Sequence, residues 1–269
     1  METIGIIAGN GVFPIQILEK AKQKKYRVVV AGILQEASPA LKDKSDAFEW
    51  IKIGQLKKLK DFFKKHQASN VVMAGKIEKV RLFQGNVQPD FEMLKVLMKL
   101  KDYKDDSLLG AIADYLESQK IHLLDSTAFI KDEMPGKGVF GKIKPSKEIL
   151  DDISFGFTMA KAIAGLDIGQ TVVVKKRAVM AVEAIEGTDL AIQRGAELGN
   201  EGIVVVKVSK PNQDMRFDVP AIGLETMRNL IRVKASAIAF EAHKTIFFDR
   251  ERVLQEADEH KIVVYGAGE

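Results

Sequence analysis

The chain's hydrophobic rhythm predicts an α/β fold, with a Rossmann-like parallel-sheet amino domain and a mixed α/β carboxyl domain. Three observations carry this. Short apolar runs alternate with helical spacings through the first half, a Gly-rich turn follows the first run, and a stretch crowded with Gly and Pro at 130–146 interrupts the rhythm before it resumes. Taken in order, residues 3–8 read as an apolar strand and 14–24 as a helix, with Pro14 in a first turn that has no use for its missing N–H. Strands follow at 26–33 and 48–53, then a helix at 56–66 with Leu56, Leu59, Phe62 and Phe63 on one face. Residues 71–74 form a wholly apolar strand, 90–100 and 107–119 helices, and 122–124 another strand. Past the interruption come a helix at 153–164, strands at 170–174 and 178–184, a helix at 189–197 and a strand at 203–208. A helix at 224–232, strands at 235–239, 245–248 and 262–265, and a helix at 250–259 complete a half that looks richer in hairpins. The expected division is 1–132 as a nucleotide-binding domain and 133–269 as a catalytic one, with 130–146 as the linker.

Composition removes several chemistries. The 269 residues are 46% hydrophobic and 29% charged, enough apolar material for sizeable cores. A net charge of +4 is a small lysine excess rather than a nucleic-acid footprint, so no nucleic-acid partner is expected. The Lys57-Lys58-Leu59-Lys60 and Lys64-Lys65 clusters read as the solvated face of an amphipathic helix. With no cysteine, disulfides, thiol nucleophiles and thiolate–zinc sites are excluded, and the four scattered histidines have no metal-ligand spacing. The opening Met1-Glu2-Thr3-Ile4-Gly5 lacks signal-peptide character, and no apolar run reaches membrane-span length, so a cytoplasmic protein is expected.

Four segments concentrate groups with chemistry. Gly5-Ile6-Ile7-Ala8-Gly9-Asn10-Gly11 ends a strand and opens a helix, where glycines let a phosphate approach the backbone and the helix terminus supplies donors. Its order is G-x-x-x-G-x-G, not the dinucleotide fingerprint, and a purely structural tight turn explains it as well. Lys76, after the 71–74 strand, stands where parallel sheets bind ligands, although a solvent-facing lysine is an equal reading. Asp105-Asp106-Ser107 precedes a helix; an N-cap accounts for one acid and leaves the other over. Glu183-Ala184-Ile185-Glu186-Gly187-Thr188-Asp189 gathers three carboxylates and a hydroxyl at a strand end, as hard cations require. Thr188 as helix cap and Asp189 as dipole partner explain those two without a cation.

The fullest segment is 210–223, from Lys210-Pro211 through Asp214, Arg216 and Asp218 to Pro220 and Gly223. Read as extended, it puts Asp214, Arg216 and Asp218 on one side, and Met215 and Phe217 on the other. Two carboxylates beside a guanidinium suit a divalent metal and a phosphate together. The plainer alternative is a surface strand whose charges pair in water. Glu241-Ala242-His243-Lys244 offers a further carboxylate or a simple hairpin turn. The Met- and Phe-bearing helical faces read first as core, with acyl-chain contact as the other use of such surfaces.

Together these segments resemble one family almost end to end, the LpxI-type UDP-2,3-diacylglucosamine pyrophosphatases of lipid A biosynthesis. The resemblance rests on Gly5 to Gly11 with Pro14, Ala74-Gly75-Lys76, Asp105-Asp106, Gly165-Leu166-Asp167-Ile168-Gly169-Gln170 and the 182–189 run. It continues through Lys210-Pro211, Gln213-Asp214, Arg216, Asp218, Pro220 and Ile222-Gly223, and Glu241-Ala242 with Lys244. Lys104 and His243 stand where the family pattern has glycine. The resemblance implies Mg²⁺-dependent hydrolysis of UDP-2,3-diacylglucosamine to UMP and 2,3-diacylglucosamine 1-phosphate, by a cytoplasmic enzyme that meets a membrane-borne substrate at the inner membrane. Motif match puts the catalytic acid at Asp218, with Arg216 and Asp214 beside it. Metal ligands are then expected from Glu183, Glu186, Asp189 and Asp218. Substrate contacts are expected from Gly9, Asn10, Gly11, Lys76, Asp106, Thr188, Lys207, Lys210 and Gln213, drawn from both domains. A nicotinamide-dependent oxidoreductase and a non-catalytic nucleotide-sugar or lipid carrier are the rival readings. The misordered glycines weigh against the first and the surplus carboxylates against the second. The sequence leaves the oligomeric state open.

Overall fold

The computed structural model describes residues 1–77, 89–100, 105–217 and 219–268, and only the backbone of Asp105 and Asp106. The chain forms two compact units, Met1–Ile130 with Met215–Asp218, and Lys131–Asp214 with Val219–Glu269.

The first unit runs β1 (Thr3–Ala8), α1 (Phe13–Gln23), β2 (Arg27–Ile33), α2 (Ala40–Lys44), β3 (Ala47–Ile51), α3 (Leu56–Lys65), β4 (Asn70–Ala74), α4 (Phe91–Leu97), α5 (Asp105–Ser118) and β5 (His122–Leu124). Its five strands are all parallel, in the order β3-β2-β1-β4-β5. The central strands β1, β2 and β4 read as largely apolar runs because helices cover the sheet, as parallel sheets require. Leu56, Leu59, Phe62 and Phe63 of α3 are buried, as their spacing predicts. They share a core with Val29, Ala31 and Val71. Phe217, far away in sequence, is buried in that same core. The direction of winding reverses between β1 and β4, which puts the switch point of the fold at their carboxyl ends.

The second unit opens with a 3₁₀ turn (Lys131–Glu133) and continues β6 (Gly138–Phe140), α6 (Lys147–Gly165), β7 (Thr171–Lys175), β8 (Ala178–Val182), α7 (Thr188–Gly199), β9 (Val204–Lys207), β10 (Ala221–Ile222), α8 (Leu224–Arg232), β11 (Ala237–Glu241), β12 (Ile246–Phe247), α9 (Arg250–Glu259) and β13 (Val263–Ala267). A six-stranded sheet has the order β6-β13-β11-β9-β7-β8. Its centre (β9, β11, β13) is parallel and its flanks antiparallel. One face packs on α6 through Ile153, Ala160 and Ala164. The other packs on α7, α8 and α9 through Ile192, Met227, Leu230, Val253 and Ala257.

Three expectations are corrected here. Residues 130–146 are not only a linker: β6 lies within them and pairs with β13 as an edge strand. The late strands are not hairpins, since β11 pairs in parallel with β9 and β13, and the short β12 pairs in parallel with β10. Helix α6 starts at Lys147, where the Ser146 side chain accepts the Ile149 N–H at 3.3 Å, one turn and more before the apolar spacing shows itself.

Candidate functional site

In the first unit the polar groups collect at the carboxyl ends of β1, β4 and β5. The Gly-rich turn leaves β1 and is tied at once to the segment leaving β4. The Gly9 N–H donates to Ala74 O at 2.8 Å, and Asn10 and Lys76 exchange backbone hydrogen bonds of 2.7 and 3.0 Å. The approach is so close that a Cβ on Gly9 would stand 2.5 Å from Lys76 O, and one on Gly75 would stand 2.5 Å from Asn10 O. These two glycines therefore serve backbone–backbone contact, and the Gly9 N–H is already taken up by Ala74 O. Gly11 differs: its φ is +99° and nothing lies within 4 Å of its Cβ position. Asn10, Gly11 and Lys76 are exposed there, beside the start of α1.

The segment carrying Arg216 is not a strand. Lys210 to Gln213 form a turn closed by Gln213 N–H to Lys210 O at 3.1 Å, with Pro211 inside it. Met215 to Phe217 then follow a bent path. Ser126 pins that path: its N–H donates to Met215 O at 2.8 Å. Its hydroxyl stands 2.7 Å from Arg216 O and 2.8 Å from Met73 O, so one proton serves two carbonyls. Ser126 is itself buried, in a turn where Asp125 accepts from Thr127 N and Oγ1 at 2.7 Å each. The Arg216 guanidinium lies over the Phe217 ring, 5.1 Å from its centroid. The alternation of charges thus reflects a pinned turn with Phe217 in the core, and Asp214 groups with the other unit. Asp218 and the Asp106 side chain lie outside the described residues.

In the second unit the carboxyl ends of β8, β9 and β11 and the start of β7 form one polar edge. Lys207, the last residue of β9, donates to Thr188 Oγ1 at 3.3 Å and to Ala221 O at 3.1 Å. Thr188 donates onward to Glu183 Oε1 at 2.9 Å, and Glu183 Oε2 accepts from Gln170 N at 3.4 Å. Thr188 is therefore not the helix cap the sequence suggests; Gly187 holds that position with φ 86°. An ammonium, a hydroxyl and a carboxylate in series make an edge that suits a phosphate oxygen on its cationic side. Lys210 pairs with Asp167 at 2.7 Å, and its backbone N–H donates to the Gln213 side chain at 3.3 Å.

The proposed carboxylate cage does not assemble from Glu183, Glu186 and Asp189. Glu186 accepts from Ala184 N at 3.0 Å and from Arg194 Nη2 at 2.5 Å. Its own backbone N–H and then Arg194 hold its carboxyl below the ordinary range. Asp189 faces Asn229, whose amide donates to Asp189 O at 3.0 Å and Oδ1 at 3.3 Å. Among the described residues no three Asp, Glu or His side chains gather in a way that fits a metal ion. Each acid has a different neighbour because the loop turns into α7 between them.

Sequence reasoning missed Ser126, Lys161 and Ser209, and left Glu241 between a further carboxylate and a hairpin turn. The Asp125-Ser126-Thr127 cluster directly after a strand was the visible signal for the first. Lys161 lies within α6, and it reaches Glu241 at 3.0 Å and 3.2 Å. Among the described residues no helix is long and apolar enough to cross a membrane.

Comparison with known proteins covers both units. The family model described as LpxI N-terminal domain matches residues 3–133, and the LpxI C-terminal domain model matches 136–265. A UDP-2,3-diacylglucosamine pyrophosphatase LpxI of Caulobacter vibrioides is 30% identical, over 99% of this chain and 98% of the relative. Among solved structures, the biotin carboxylase domain of a thermophilic 2-oxoglutarate carboxylase aligns at 13% identity and a TM-score of 0.28, covering 64% of this chain and 35% of that one. The phosphoribosylglycinamide synthetase of Anaerococcus prevotii aligns at 10% identity and a TM-score of 0.28, covering 73% and 42%. The chain thus spans well under half of those structures, and likeness at this level carries no argument.

Proposed function

The chain belongs to the LpxI family, and on that premise we propose that it hydrolyses the pyrophosphate bond of UDP-2,3-diacylglucosamine, water adding across the P–O–P bridge to release UMP and 2,3-diacylglucosamine 1-phosphate. The observation that carries this reading is the relative of that activity, matched over 99% of this chain. The polar edges are consistent with the chemistry. Pyrophosphate cleavage asks mainly for neutralised phosphate charge and an aligned water. In the second unit Lys207 and Lys210 supply ammonium groups, with the Thr188 hydroxyl between Lys207 and Glu183. In the first unit Arg216 offers the guanidinium fork that grips phosphate oxygens, on a backbone Ser126 holds rigid. Asn10, Gly11 and Lys76 offer an exposed rim for the nucleotide. By motif match Asp218 takes the role of base or metal ligand, with Asp214 as a helper.

Mg²⁺ belongs to the proposal through the family and through the charge of the substrate. Mg²⁺ commonly binds by one or two carboxylates plus substrate phosphates rather than in an all-protein cage. A three-acid cluster is therefore not required of the protein, and no step is assigned to a resident metal. The same reading places the enzyme at the inner face of the membrane that carries its acylated substrate.

The deciding experiment is release of UMP from UDP-2,3-diacylglucosamine by the purified chain, with Mg²⁺ and with excess chelator. Release that stops in chelator is expected. No release under either condition overturns the activity, and full release in chelator overturns the metal requirement alone.

A further inference from the structure

β11 ends on Glu241, a carboxylate only 6% exposed in the second unit. Its two oxygens accept from every side. Lys161 Nζ reaches Oε1 at 3.2 Å and Oε2 at 3.0 Å. Lys244 Nζ lies 2.9 Å from Oε1. Ser209 donates to Oε2 twice, through its N–H at 2.9 Å and its hydroxyl at 2.8 Å. Lys161 also donates to Ser209 O at 2.9 Å, so the backbone N–H, the carbonyl and the side chain of Ser209 are all held by the Glu241–Lys161 pair. Burial pushes the Glu241 carboxyl up, but the bonds from Lys244, Ser209 and Lys161 outweigh burial and hold it below its ordinary value.

A buried ion pair is a poor device for stability alone, because desolvating both charges offsets most of their attraction. A buried charge with four donor groups around it does fix one geometry. What it fixes here is the exit of β9. The strand ends at Lys207, and Ser209 is the next residue but one, immediately before the Lys210-Pro211-Asn212-Gln213 turn. Lys207 and Lys210 thus flank a residue clamped on three atoms.

We propose that Glu241 is a positioning residue for the site: through Ser209 and Lys161 it sets the backbone from which Lys207 and Lys210 meet the phosphates. It touches no substrate itself, having no acceptor capacity to spare. The role rests on the pyrophosphatase reading above, but it predicts a local rigidity that is measurable without substrate.

The test uses the full chain and the Glu241→Gln variant. The amide cannot accept from both lysines and Ser209 at once, and it puts an NH₂ group where cations sit. Amide hydrogen exchange at Ser209 and Lys210 should become at least about tenfold faster, while Ala239 and Phe240 in β11 keep their protection to within about threefold. UMP release should lose at least roughly tenfold in kcat/KM. Ser209→Ala added to Glu241→Gln should cost under about twofold more, since both act through one contact. Unchanged exchange at Ser209, or protection lost across the whole of β11, overturns the proposal; the second outcome makes Glu241 merely structural. Should Glu241→Gln not fold, Ser209→Ala alone carries the test, because it deletes one hydroxyl and leaves both ion pairs. A loss of at least about threefold in kcat/KM then supports positioning and an unchanged value overturns it. If the unaltered chain releases no UMP, the pyrophosphatase reading fails while the exchange measurement still decides positioning.

Discussion

Replacing Gly9 by Ala tests whether the glycine turn exists to join β1 to β4. The added Cβ would stand 2.5 Å from Lys76 O, 3.0 Å from Lys76 C and 3.1 Å from Gly75 C, all of them backbone atoms. A carbon–oxygen contact needs about 3.3 Å, so the two segments must part by roughly 0.8 Å. The Asn10–Lys76 bonds, now 2.7 and 3.0 Å, cannot survive that separation in good geometry. Two backbone bonds at about 1 kcal/mol each, plus residual overpacking, give a cost of about 2–3 kcal/mol. For a unit of this size that lowers the melting midpoint by roughly 6–12 °C. Calorimetry or urea titration reads the loss, and amide exchange at Asn10 and Lys76 locates it. Gly11→Ala is the control: its Cβ meets open space, and only the φ of +99° is strained. It should cost about 1 kcal/mol and leave the Lys76 amide protected. A Gly9→Ala protein within about 0.5 kcal/mol of the parent, with that amide still protected, would refute the reasoning.

Other outcomes follow from single contacts. Ser126→Ala leaves Met73 O and Arg216 O without their shared donor; it should cost about 1–3 kcal/mol by urea titration and lower UMP release beyond the loss of folded protein. Asp218→Ala should fold with an unchanged melting midpoint and lose roughly a hundredfold or more in turnover, whereas Asp214→Ala should be milder; near-normal turnover in Asp218→Ala would move the catalytic role elsewhere. The pH dependence of stability should carry a Glu241 signature. Its folded value lies below the ordinary 4.5, so its contribution is whole above that pH and disappears as pH falls through the folded value. The acid limb of the stability curve should therefore be shallower in Glu241→Gln, and an identical limb would contradict the assignment.

Elements whose partners lie nearby in sequence were legible; those fixed from a distance were not. The central strands β1, β2 and β4 of the first sheet announce themselves because burial on both faces makes each largely an apolar run. α2 (Ala40–Lys44) buries only Leu41, too little to show a period. In the second unit the apolar run from Ala235 suggested a strand ending before Phe240, because a glutamate reads as polar and so as turn. Yet Glu241 completes β11 and is buried, its charge met by Lys161 from α6, 80 residues earlier. The same distance hid the shape of 214–217: alternating charge imitates a strand, and only Ser126, 90 residues away, reveals the turn.

The acids of the 183–189 segment show why residue type alone does not make a site. Three carboxylates spaced by three suggest ligands converging on one ion. Spacing by three brings side chains together only inside a helix, and here the helix begins at Thr188. Glu183 thus leaves β8 toward Thr188, Glu186 folds back on Arg194, and Asp189 enters α7 facing Asn229. Glu183 differs from the other two in its link to a cation that the phosphate reading needs, through Thr188 to Lys207. The chemistry of this edge therefore resides less in its count of negative charge than in which carboxylate orients which donor. Glu241 on Ser209 and Glu183 on Thr188 are two instances of one arrangement, a carboxylate that accepts from a hydroxyl beside the exit of β9: Thr188 meets Lys207, and Ser209 follows that lysine by two residues.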